Sequence, residues 1–70
     1  MRACDMPKSY AEEVILKPLA PALVTLLRAQ VHVLSPIALV KKIRESTGMG
    51  LYESVQIKNA ILVVEGLVQP

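Results

Sequence analysis

The residues able to do chemistry are few in this 70-residue chain. There is one cysteine, Cys4, and one histidine, His32. A nucleophilic thiolate needs a base and an orienting group beside it. A thiolate or imidazole metal site needs several such ligands at short spacing. Cys4 and His32 are far apart in sequence, and neither has such company. Glu12 and Glu13 are adjacent, so they point in different directions and do not form a carboxylate pair for acid–base work. A place in the first turn of a helix accounts for both. Gly48-Met49-Gly50 lacks the Lys-Ser/Thr that completes a phosphate loop. No catalytic set, metal site or cofactor site is expected, and the chain reads as a non-enzyme. What remains is a run of cations, Lys41, Lys42 and Arg44, just before that glycine pair. Such a run either pairs with a partner or is a solvated helix face, favoured near a helix C-terminus by the dipole.

The elements that must position those cations come from a chain with room for one domain only. So short a chain buries only about 60% of its unfolded surface. Small scaffolds therefore lean on disulfides, a metal or a partner, and a single cysteine excludes an internal disulfide. Apolar residues make up 53% of the chain, with no Phe or Trp and only Tyr10 and Tyr52 as aromatics. The core must then be Leu, Ile, Val and Ala. This apolar load points to an exposed patch that binds a partner or a second copy of the chain. The net charge is +2, with eight Lys and Arg against six Asp and Glu. A nucleic-acid binder would carry a denser basic stripe or aromatics for base stacking, so nucleic acid is a disfavoured partner. The opening "MRACDMPKSYAEE" is polar and mixed in charge, unlike a secretory leader. Residues 19–40 are apolar, but Pro21, Arg28, Gln30, His32, Ser35 and Pro36 interrupt the run of about 20 residues that a membrane span needs. A soluble, cytoplasmic protein with a reduced thiol is expected.

Residues 1–8 carry no periodicity and read as a flexible N-terminus, followed by a single small domain over 9–70. Ser9-x-x-Glu12 is a capping-box pattern that predicts a helix start, and Lys17-Pro18 should end that helix. A short strand over 13–17 is the competitor. Pro21 fits a first helical position, and "PALVTLLRA" reads as a largely buried helix. In "QVHVLS", residues 30–35, the alternation of Val31 and Val33 with Gln30 and His32 predicts a strand, with helix continuing from Ala29 as the alternative. Ser35 is a strong N-cap and Pro36 an ideal first residue for the next helix. At about 100° per residue, Ile37, Leu39, Val40 and Ile43 share an arc of roughly 160°. Lys41 and Arg44 flank Ile37 at its edge, and Lys42 lies opposite. Gly48 suits the left-handed C-terminal position, and Gly50 allows a second turn, so 47–50 reads as a corner between two helices. The second helix is expected to reach about Asn59. "AILVV", residues 60–64, then reads as a strand, although Leu51, Val55, Ile57, Ile61 and Leu62 share one face if the helix continues. The fold expected is a small α+β domain of about four short helices and one or two short strands.

The stretch "PIALVKKIRESTGMGLYES" resembles the C-terminal domain of the bacterial ribosomal stalk protein, which recruits translational GTPases. That family shows an apolar-Ala-apolar-apolar-Lys run, then apolar-Arg, then Thr-Gly-Leu-Gly-Leu-x-Glu-Ala. Here these are Ile37-Ala38-Leu39-Val40-Lys41, Ile43-Arg44 and Thr47-Gly48-Met49-Gly50-Leu51-Tyr52-Glu53-Ser54. The match runs without gaps over residues 36–54, roughly a quarter of the chain. The Thr-Gly-x-Gly-Leu corner is its specific part. Val55 stands where the family carries a basic residue and Lys58 where it carries an apolar one. Residues 1–29 correspond to nothing in the pattern, as in a diverged free-standing relative of phage or mobile-element type.

The resemblance implies Ile37, Val40, Lys41 and Arg44 as partner-binding residues, and a translational GTPase or other host factor as the partner. An aliphatic anchor supplies desolvation, while flanking cations steer an acidic partner and set its register. Two other classes stay open. One is a small assembly subunit that oligomerises through aliphatic surface over 14–40. The other is a nucleic-acid accessory protein using Lys41, Lys42, Arg44 and Lys58.

Overall fold

Prolines and glycines set most of the helix ends. The computed structural model describes residues 5–67, and among them the only regular secondary structure is helical. Helix α1 (Lys8–Tyr10) runs directly into a π-helical segment (Ala11–Leu16). Helices α2 (Pro21–Gln30), α3 (Pro36–Thr47) and α4 (Leu51–Val64) follow. Pro21 and Pro36 sit in the first turns of α2 and α3, where a missing N–H costs nothing. Ser35 caps α3, its Oγ accepting from the Ala38 N–H at 3.2 Å. Gly66 ends α4 in left-handed geometry, φ 70. Around it the Leu67 N–H bonds to the Leu62 carbonyl and the Gly66 N–H to the Val63 carbonyl, the paired bonds of a Schellman motif.

The α+β expectation is overturned, because no strand forms among the described residues. The β-branched run at 60–64 forms the last turns of α4 instead. Ala60, Ile61 and Val64 are buried there, and Leu62 and Val63 pack against the same core. A helix apolar on most sides is stable when it is central. Here α4 packs against the N-terminal helical segment, α2 and α3 in turn, so burial overrides β propensity. The strand expected over 30–35 is the last residue of α2 and a turn. The N–H groups of Val31, Val33 and Leu34 bond back to the Leu27 and Gln30 carbonyls at 2.8–3.0 Å. The backbone is satisfied locally, and the described residues offer no second strand to pair with it.

Two further expectations change. Ser9 lies inside α1 rather than capping it: Pro7 holds the N-cap position, and no side chain caps there. Helix α2 lies at the surface, with only Leu27 fully buried and Leu26 45% exposed. The core is aliphatic apart from Met6. Leu27, Leu39, Ile43 and Ile61 are its largest fully enclosed apolar side chains. Residues 1–4 of the expected N-terminal tail, with Cys4, lie outside the described residues.

Candidate functional site: a groove between α3 and α4

The corner between α3 and α4 is held by side chains as well as by its glycines. Gly48 has φ 71, and its N–H bonds to the Arg44 carbonyl at 2.9 Å. Thr47 bridges the bend. Its hydroxyl donates to the Ile43 carbonyl at 2.7 Å and accepts from the Met49 N–H at 3.2 Å. Gly50 is extended, φ −70, and serves as the N-cap of α4. On the far side, the fully buried Ser54 donates its hydroxyl to the Gly50 carbonyl at 2.9 Å. Helix α4 is thereby laid against α3 with two intervening residues besides Gly48.

That placement splits the apolar arc of α3. Leu39 and Ile43 are fully buried, Val40 is half-buried, and Ile37 is 83% exposed. The outer half of the arc forms one wall of an open groove of about 490 Å³. Pro36, Ile37, Val40, Lys41 and Arg44 line it from α3, and Leu51, Val55 and Lys58 from α4. All four partner-binding residues implied by the resemblance therefore face one concavity. Lys42 does not line it. Among the described residues, every charged group on the groove is a cation. Lys41, Arg44 and Lys58 make no ion pair among the described residues. The floor is wholly aliphatic.

The second wall was not assembled by sequence reasoning. Leu51 and Val55 were grouped with a helix face and Lys58 with a basic set. Their spacing of i, i+4 and i+7 was the available signal, since it puts all three on one side of a helix. Val55 and Lys58, where the chain departs from the stalk pattern, lie on this same groove.

Across α4 a second, smaller cleft of about 330 Å³ holds both aromatic residues, Tyr10 and Tyr52, with Val14 and Glu53. The Gln56 amide donates to the Tyr52 hydroxyl at 3.1 Å. Elsewhere, Glu65 ties the end of α4 to α2 and the turn after it. Arg28 Nε donates to Glu65 Oε2 at 2.5 Å, and His32 Nε2 lies 2.8 Å from Glu65 Oε1. These contacts, the His32 hydrogen bond foremost and then Arg28, hold the Glu65 carboxyl below its ordinary pKa. His32, expected on a strand, thus sits in a turn and makes a structural contact.

Among the described residues no cluster of His, Cys, Asp and Glu could hold a metal ion, and no helix is long and apolar enough to cross a membrane. Comparison with protein-family models, with curated proteins and with solved structures gives no significant match to this chain.

Proposed function

We propose that the chain is a non-enzymatic protein-binding module that engages its partner through α3. The observation supporting this is Ile37, an isoleucine 83% exposed in the first turn of α3, at the rim of a cation-lined groove. Burying that side chain against a partner would recover about 1.5–3 kcal/mol of hydrophobic free energy that folding leaves unused. Lys41 and Arg44 beside it add steering toward acidic surfaces. The resemblance over 36–54 supports a translational GTPase as the partner. The lone cysteine fits a reducing, cytoplasmic setting. The test is capture of purified translation factors by the wild type and by Lys41→Glu with Arg44→Glu. Both side chains are exposed, so the variant should fold. Binding should fall about tenfold or more; unchanged binding would sink the reading.

A second reading is supported by Val14, Leu26 and Val33, which are 51%, 45% and 81% exposed within 14–40. It makes the chain an assembly subunit that joins copies of itself through that aliphatic surface. Sedimentation at rising concentration separates the two, since a persistent monomer rules out assembly.

A further inference from the structure

We propose that the groove between α3 and α4 receives an acidic amphipathic helix about two turns long; this rests on the reading that the α3 edge binds a protein. Both walls set the length. Ile37 to Arg44 on α3 and Leu51 to Lys58 on α4 are each seven residues apart. At a rise of about 1.5 Å per residue, each wall is roughly 10 Å long, or two turns. An occupant lying along it presents anchors at i, i+3, i+4 and i+7. The floor fixes their chemistry. Ile37, Val40, Leu51 and Val55 are aliphatic, so they accept aliphatic side chains and give nothing for a base to stack on. The rim fixes the charge. Lys41, Arg44 and Lys58 stand on both walls with no carboxylate among them, so the flanks of the occupant must be Asp or Glu. Strand addition is not an option, because the described residues offer no sheet edge.

The role of Lys58 separates this inference from the reading it rests on. An edge on α3 alone needs Ile37, Lys41 and Arg44. A two-walled groove also needs Leu51 and Lys58. Leu51 is 59% exposed at the first position of α4, where aspartate suits the helix dipole, so Leu51→Asp should fold.

The probe is a synthetic capped helix with leucines at i, i+3, i+4 and i+7 and glutamates at the flanking positions, titrated into the full chain by methyl and amide NMR. The peptide should shift the signals of Ile37, Val40, Leu51 and Val55 and gain helicity on binding. Its affinity should fall about tenfold in Lys58→Glu and in Leu51→Asp. The same peptide with lysine for glutamate, or with serine for leucine, should not bind. The inference is overturned if the lysine peptide binds equally well. It is also overturned if the shifts map to the Tyr10–Tyr52 cleft, or if single-stranded DNA or a second copy of the chain occupies the groove in preference. If factor capture is lost in the Lys41→Glu, Arg44→Glu variant but survives Leu51→Asp and Lys58→Glu, the α3 edge stands and the groove falls. If the peptide binds as described while no translation factor is captured, the groove stands and the GTPase assignment falls.

Discussion

At the residue scale the two corner glycines are not equivalent. Gly48 has φ 71, which an L side chain adopts only at a cost, although a Cβ there would meet open space. Gly48→Ala should therefore destabilise by about 1–2 kcal/mol through backbone strain alone. Gly50 has an ordinary φ of −70, and an added Cβ would approach only the carboxylate end of the exposed Glu53 side chain, at 3.0 Å. Gly50→Ala should cost about 0.5 kcal/mol, the usual gap between glycine and alanine at an N-cap. Chemical denaturation of both variants measures the difference, and equal costs would refute the assignment. The need for a glycine at 48 was legible, because a helix C-terminus states its geometry locally. What was not legible is that Thr47 clasps the bend through two hydrogen bonds, since only the folded corner shows where its hydroxyl points.

At the scale of elements, the helices whose ends carry local signals were readable and those decided by burial were not. Ser35-Pro36 and Gly48 bracket α3 in a language of caps, so its limits could be read from the chain. The end of α4 carries one too, in Gly66, but nothing local says whether the apolar run before it is helix or strand. Ile61, Val63 and Val64 are of the β-branched type enriched in strands, and their helical state depends on the neighbours that enclose them. The sharpest check is Ile61→Ala, at a side chain with no solvent exposure. It should cost about 2–5 kcal/mol in a denaturant melt, a large part of the stability of so small a domain. A loss under about 0.5 kcal/mol, the range of surface substitutions, would mean that α4 is not the central helix. The candidate site was half legible for the same reason. The α3 wall lies within one continuous helix pattern, while the α4 wall requires knowing how α4 lies against α3.

For the whole molecule, one partly exposed ionic cluster ties the end of α4 across to α2, beside the aliphatic core. Glu65 joins the end of α4 to Arg28 on α2 and to His32 beyond it. Its carboxyl is held below the ordinary glutamate value of 4.5, so the folded state binds that proton less readily than the unfolded state. The stability it contributes is complete above pH 4.5 and is lost as pH falls through the lower folded value. Glu65→Gln should thus be less stable than the wild type near neutral pH and should lose less on acidification. Thermal melts across the acid range test this, and parallel curves for the two proteins would refute it. Arg28 and His32 are about half exposed, so added salt should weaken the link. None of this could be read from the sequence, because Glu65 lies more than thirty residues from both partners.

The π-helical segment has a consequence for how this chain can vary in length. Ala11 and Leu16 are its buried residues, five apart, the period of a π-turn. In an α-helix that pair would be four apart. The segment therefore holds one residue more than an α-helix would need to bring the same two side chains to the core. Glu12 is exposed between them. A version of the chain without it would keep Ala11 and Leu16 on one face by reverting to α geometry. Deletion of Glu12 should thus be absorbed inside a helix, although changes of chain length are usually tolerated only in loops.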